Sequence, residues 1–254
     1  MVPQTSGRIF WVAPAASYTV EGRTYTASDN NDGLSPERAF RTVDYAVGQT
    51  TANVGDVIVL LNGSHSVSAT IAVDVAGITI TGIPRNVPMP GSYMNAGPSQ
   101  AYTRIVSTET AGIVFTVTVA DVEIAYIHFD DIINGQNISV SNAADRFFLH
   151  DCTSLVDTAD STSTMTVTFP LGTGTTTRND YSVIRNCYFL VQSNAGPAIR
   201  AAGTVWGLSV ENCTFESFLG SSGGSSCHFL IGVGGIDRYL KLKSCNFFNA
   251  TSST

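Results

Sequence analysis

The chain has 254 residues, of which 43% are hydrophobic and only 13% charged, with a formal net charge of −7. That balance leaves no basic stripe to displace counterions from phosphates, which argues against nucleic acid as a partner. No apolar run approaches the roughly 18 residues of a spanning helix, and Met1-Val-Pro-Gln opens no charged-then-apolar leader, so neither membrane insertion nor export by its own signal is expected.

In chain order, the first predicted element is a helix. Ser35-Pro36-Glu37 supplies an N-cap serine and a proline at the first helical position. Phe40, Val43 and Val47 then form one apolar face, and Gly48 ends it. Gly55-Asp56 turns into VIVLL (57–61), the first predicted core strand. A helix laid over the first rung would hide its unpaired edge. The domain reading is therefore an arm with a capping helix over 1–56 and one continuous fold over 57–254.

From residue 77 onward a short pattern recurs. GITITGI (77–83) is followed by VEIAYIHF (122–129), FLHDCTSL (148–155), VIRNCYFL (183–190), LSVENCTF (208–215) and LKLKSCNF (240–247). Aligned on one slot, the copies place Ile83, Ile127, Cys152, Cys187, Cys213 and Cys245 in register, with uneven intervals as loops bulge from single turns. Period-2 alternation within each copy marks strand. The pair before the slot (Ala125-Tyr126, His150-Asp151, Arg185-Asn186, Glu211-Asn212, Lys243-Ser244) marks a corner where two successive side chains face out.

A second strand family follows: ISVS (138–141), MTVTF (165–169), AIRAA (198–202) and HFLIGV (228–233). Short strands stacked turn on turn make an all-β, right-handed parallel β-helix. Ile83, Ile127 and the cysteines form one inward ladder, and Phe129, Phe189, Phe215 and Phe247 form another beside it. After the last rung the chain ends in NATSST with no capping device, which suggests cover by a loop or another subunit.

The cysteines are predicted to be reduced. Parallel strands lie roughly 4.8 Å apart, whereas a disulfide needs its Cβ atoms at about 3.5–4.5 Å. The odd total of five agrees with free thiols in a reducing cytoplasm. Their spacing lacks the paired C-x₂₋₄-C of a zinc site, so no metal or other cofactor is expected.

The run FWVAP…SDNNDGLSPERAFRTVDYAVGQTTANVGDVIVLLNGSH…DVAGITITGI (10–83) resembles the opening of right-handed β-helix proteins of the pectin-lyase-like group. More closely it is similar to a tailed-phage set in which Thr51-Ala52-Asn53, Gly55-Asp56, Ser64-His65 and the Asp74-Val75-Ala76-Gly77 turn recur, and FTVTVADVEIAYIHF (115–129) extends the likeness to about residue 130. The resemblance implies a virion structural protein, a capsid decoration or head-fibre component on the capsid exterior, made in the host cytoplasm. It also implies the major capsid protein or other virion proteins as partners. The insertion over 84–102 departs from that set.

Catalysis on this fold requires carboxylates converging from adjacent rungs. Asp130-Asp131 is the obvious candidate, but the equivalent positions of later rungs are Leu155-Val156, Leu190-Val191 and Glu216-Ser217. A lyase needs a basic residue beside an acidic patch, and Lys241 and Lys243 have only Asp237 nearby. The expectation is therefore no enzyme, no catalytic residue and a structural role. A tailspike-type polysaccharide hydrolase or lyase remains the competing reading. So does a carbohydrate-binding adhesin, to which Tyr93, Tyr102 and Trp206 could contribute contacts to surface glycans. Outward columns read Ala125, His150, Arg185, Glu211, Lys243 and, two residues earlier, Glu123, Phe148, Val183, Ser209, Lys241. Phe148 and Val183 are the candidate contacts of a homotrimer, and His65 and His228 read as structural histidines.

Overall fold

The computed structural model describes residues 7–83, 102–107, 113–130, 136–156, 167–169, 179–192, 198–201, 205–219, 229–231 and 239–251. Three parallel sheets run the length of a right-handed β-helix. Sheet one has 8 strands: Ile9–Val12, Val57–Leu60, Thr79–Gly82, Glu123–Ala125, Phe148–His150, Val183–Arg185, Ser209–Glu211 and Lys241–Lys243. Sheet two has 7 strands, from Gly63–Val67 to Asn246–Thr251, and sheet three has 6, from Ile71–Val73 to Phe229–Ile231. Every pairing within these sheets is parallel and in register, as in Ile124↔Leu149↔Ile184↔Val210↔Leu242.

Sheet one is bracketed by two columns of left-handed backbone. Gly77, Asp121, Arg146, Tyr181, Gly207 and Tyr239 precede its strands with φ of 73, 61, 55, 59, 75 and 78°. Tyr126, Asp151, Asn186, Asn212 and Ser244 follow them, with φ between 52 and 56°. A non-glycine residue there costs roughly 1–2 kcal/mol. Hydrogen bonds between rungs offset the cost, since the ladder continues through both corners: Asp151 N–H donates to Arg185 C=O at 3.1 Å and Tyr181 N–H to Trp206 C=O at 2.6 Å. The polar pair seen in the sequence is this second corner, except that Ala125 is buried.

Inside, Ile127, Cys152, Cys187 and Cys213 are all buried, while Ile83 and Cys245 at the outer positions of the ladder are partly so. The four described cysteines are free. Each thiol donates to the carbonyl two residues back, at 3.2 Å for Cys152 and Cys187, 3.3 Å for Cys213 and 3.5 Å for Cys245, and so ties down the corner. Burial pushes the Cys152 thiol up to about 12. Beside them buried Phe189 and Phe215 stack with Phe247 at 5.1 and 5.0 Å, with interplanar angles of 12 and 8°, although Phe247, expected inward, is 48% exposed on the last described rung. Such pairs contribute about 0.5–1.5 kcal/mol each beyond burial.

The N-terminal arm differs from expectation. Ile9–Val12 pairs with Val57–Leu60, so the arm supplies the outermost strand of sheet one and 57–61 is the second. The single helix expected over 35–48 is broken. A 3₁₀ turn, Pro36–Arg38, is separated from an α-helix, Val43–Gly48, by extended Ala39, and Phe40 bridges Val12. Ser35 makes no side-chain cap bond, whereas Thr42 Oγ1 accepts from Tyr45 N–H at 3.3 Å. Asp29 holds the break by accepting the N–H groups of Arg41 and Thr42 at 2.9 and 3.0 Å. The helix still buries Val43, Ala46 and Val47 against the β-helix end. A hairpin, Ser17–Val20 with Arg23–Thr26, turns through Glu21 and Gly22, both at positive φ.

The shared-motif residues are structural. Asp56 is fully buried and accepts Arg8 N–H at 2.6 Å and Thr51 N–H at 2.7 Å. At Gly77 a Cβ would lie 3.0 Å from the Cα of Asn53, itself at φ 60°. His65 is buried with Nε2 2.8 Å from Leu61 C=O, and burial lowers its pKa to about 4.

Candidate functional site on the outward flank of sheet one

Three short strands and their corners bring the chemistry together. Glu123 opens one strand, Phe148 lies beside it in register, and His150 closes that second strand two residues on. Asp151 takes the following left-handed corner. This diagonal puts one imidazole between carboxylates from consecutive rungs. His150 Nε2 lies 2.7 Å from Glu123 Oε1, and Nδ1 lies 2.7 Å from Asp151 Oδ2. Thr79 Oγ1 donates to Glu123 Oε2 at 3.2 Å from the preceding rung, and Asn186 Nδ2 donates to Asp151 Oδ1 at 3.3 Å from the next.

Aromatic rings wall the imidazole. Phe148 stacks on His150 at 4.3 Å with a 29° tilt, and the Tyr126 ring meets it edge-on at 5.5 Å. The Arg185 guanidinium lies 5.5 Å from the Phe148 centroid. The hydrogen bond from His150 holds the Glu123 carboxyl below the usual range against a desolvation penalty. For His150, burial favours the neutral ring, but the bonds to Glu123 and Asp151 outweigh it and raise the pKa above 6.5. Burial and the charge of Asp151 raise the Tyr126 phenol.

Further along, Glu211 meets Lys241 Nζ at 2.8 Å and Arg185 Nε at 3.4 Å, and Lys241 leads in pulling its carboxyl down to about 2. At the leading corner Arg146 clamps Asp121 with two 2.6 Å bonds. Two tyrosines project from that same corner column. Tyr181 is 65% and Tyr239 79% exposed. Gly207 sits between them, where a Cβ would come 2.9 Å from the Tyr181 ring.

The residues singled out in the sequence fall as follows. Phe148 and Val183 are adjacent in register and half-buried, and Phe148 finds its neighbours in His150 and Arg185 of its own chain. Asp130 ends a strand of sheet two, opposite Val106, and Asp131 lies outside the described residues. So do Tyr93, His228 and Asp237. Glu216 accepts the Tyr188 hydroxyl. Tyr102 packs edge-on against buried His128. Sequence reasoning missed Glu123, Tyr126, Tyr181 and Tyr239 as site residues. The signal was there: Glu123 and His150 stand one rung and two residues apart on a face with period 2.

No family model and no curated protein matches the sequence. Solved structures do. The chain is similar to a pectin methylesterase in complex with hexasaccharide VII, with a TM-score of 0.60 at 15% identity over 91% of this chain and 68% of that one. A mutant pectin methylesterase in complex with hexasaccharide IV gives 0.61 at 16%, over 91% and 68%. Pectin methylesterase PemA from Erwinia chrysanthemi gives 0.53 at 15%, over 86% and 57%. The shared element is the pectin-lyase-like parallel β-helix.

These neighbours are enzymes, which overturns the expectation of no enzyme. That expectation rested on Asp130-Asp131 lacking an acidic partner on the next rung. The convergence of carboxylates it found missing on sheet two exists on sheet one, where Glu123 and Asp151 meet at His150.

Proposed function

We propose that this chain is a virion protein of a tailed phage, mounted on the outer capsid surface through the major capsid protein, whose sheet-one flank engages surface polysaccharide. The resemblance over 10–130 supports the virion assignment. The observation that carries the glycan reading is the pair of exposed tyrosines. Tyr181 and Tyr239 occupy left-handed backbone that costs a side chain about 1–2 kcal/mol, yet neither ring is buried. Folding gains little from them, and an outward contact explains them. A phenol ring presents a negative face to the C–H groups of a sugar ring. The corner amides of Asn186 and Asn212 on the same flank offer donors and acceptors to hydroxyls.

The test has two arms. Cryo-electron microscopy of the phage particle should show rods of β-helix on the outer shell. Calorimetric titration of purified protein with polysaccharides should show binding that Tyr181→Ala weakens about tenfold. Particles lacking the chain would sink the virion assignment, and absence of binding, or binding indifferent to Tyr181, would sink the glycan face.

A further inference from the structure

We propose that the cleft beside the N-terminal helix binds one small hydroxycarboxylate, gripped by Arg41 and by the buried imidazole of His65. The site lies on the first rung and stands independently of the glycan reading above. Its first ground is the place of His65 in the fold. In the inward column of sheet two, His65 pairs in register with Ile105, which leads on to Phe129, Ser154, Phe189 and Phe215. Ser154 is met by Asn137 Nδ2 at 2.9 Å, and the other later members are hydrocarbon. The first rung places an imidazole there instead, only 3% exposed.

A buried polar atom costs stability unless it is bonded. His65 Nε2 is bonded, 2.8 Å from Leu61 C=O, and because a carbonyl only accepts, Nε2 carries the hydrogen. Burial keeps the ring neutral at pH 7. Nδ1 is therefore a lone pair, and among the described residues no donor reaches it. It is not sealed away either, so it opens on the cleft that His65 lines. Isoleucine would fill the position without leaving an acceptor unmet.

The second ground is the opposite wall. Arg41, Val43, Val67 and Ile71 line the same cleft, which encloses about 150 Å³. Asp29 fixes that wall by accepting the N–H groups of Arg41 and Thr42 and the Thr42 hydroxyl at 2.9, 3.0 and 3.0 Å. The Arg41 guanidinium itself forms no hydrogen bond or ion pair among the described residues, whereas Arg8, Arg38, Arg146 and Arg185 each meet a carboxylate.

These groups select the ligand. A cavity of roughly 150 Å³ takes up one benzene ring, so the cleft holds a single ring and not a polymer. Buried Val43, Val67 and Ile71 suit its carbon skeleton. The guanidinium fork matches a carboxylate. Asp44 also lines the cleft, and one cation beside one acid in a chain of net charge −7 favours a single negative charge over a phosphate dianion. The His65 lone pair requires an O–H donor, which is the ligand's hydroxyl.

The purified full chain is titrated by calorimetry with glucuronate, glucose, cyclohexanecarboxylate and inorganic phosphate. In parallel, the imidazole nitrogens are followed by NMR; the chain has only 4 histidines, and His65→Gln assigns the resonance. Glucuronate should bind, and glucose, which lacks the carboxylate, and cyclohexanecarboxylate, which lacks the hydroxyls, should each bind about tenfold more weakly or less. The His65 Nδ1 resonance should move as the bound hydroxyl donates to it. Arg41→Gln should weaken glucuronate about tenfold with the melting temperature unchanged. Tyr181→Ala should leave that affinity as it is, which separates the cleft from the glycan face. No binding of glucuronate, equal affinity for glucose or phosphate, indifference to Arg41→Gln, an unmoved Nδ1 resonance, or loss of binding in Tyr181→Ala would each overturn the site.

Discussion

Replacing Cys187 tests whether the inward ladder holds the solenoid together. Cys187 is 2% exposed, between Cys152 at 3% and Cys213 at 0% on the neighbouring rungs. Valine keeps the apolar fill and loses the weak thiol bonds to Arg185 C=O and Leu149 C=O and the contact with the Cys213 thiol, a change that costs about 1 kcal/mol. Aspartate places a carboxylate between two thiols with no cation in the ladder. An uncompensated buried charge costs roughly 3–5 kcal/mol. In a solenoid the loss falls on both interfaces of the rung, because each rung is held only by its neighbours. Against a total stability on the order of 5–15 kcal/mol, that is a large fraction. With a urea m-value of about 2–3 kcal/mol per M, the Cys187→Asp midpoint should fall by about 1–2.5 M, and Cys187→Val by about 0.5 M or less. Among the four described cysteines, native protein should meanwhile react with a thiol reagent first at Cys245, which is partly exposed while the other three are buried. An unchanged midpoint for Cys187→Asp, or reaction at Cys187 as fast as at Cys245, would refute the inward ladder.

Asp56→Ala removes a buried carboxylate that accepts the part-buried N–H groups of Arg8 and Thr51, and a loss of about 1–3 kcal/mol by urea unfolding is expected; an unchanged midpoint would mean that water replaces both bonds. The His150 network should give a pH signature. The folded pKa of His150 lies above 6.5, so its stabilisation is full below 6.5 and is lost as pH rises through the folded value. That of Glu123 lies below 4.5, so its stabilisation is present above 4.5 and is lost as pH falls through the folded value. The difference in unfolding free energy between wild type and His150→Gln should therefore be largest between about pH 4.5 and 6.5; His65 and His128, both held down to about 4 by burial, cancel in that difference. A flat difference would show that the imidazole is neutral in its bonds. Finally, Phe148→Lys with Val183→Glu tests the homotrimer contact expected of that strip: the sedimentation mass should fall from trimer to monomer, and an unchanged mass would refute the interface.

The rungs of the fold were legible because their signal is local and repeated. Apolar alternation, the cysteine slot and the polar pair all lie within eight residues, and stacking sums them into ladders. The arm was legible only in part, because its determinants act at long range. Nothing near Ser35 announces that Asp29 will take the N–H groups of Arg41 and Thr42, or that Phe40 will bridge Val12. The site shows a different failure. Reading straight columns paired His150 with Ala125, while the contact is diagonal and its acid is Glu123, two residues earlier on the adjacent rung. Long side chains reach such diagonal neighbours across roughly 7–8 Å.

The same geometry explains why the chemistry sits at the corners of sheet one. Inward positions are constrained by their neighbours above and below, as the Phe189–Phe215–Phe247 stack shows. Corner residues carry a fixed left-handed backbone, held by bonds from rung to rung, while their side chains touch little of the core. The backbone requirement favours glycine or asparagine, and Gly77, Gly207, Asn186 and Asn212 obey it. Asp121, Tyr126, Arg146, Asp151, Tyr181, Tyr239 and Ser244 do not, and of these Tyr181 and Tyr239 present largely exposed rings. The two exposed rings among these departures are the positions to which the proposed glycan contact is assigned.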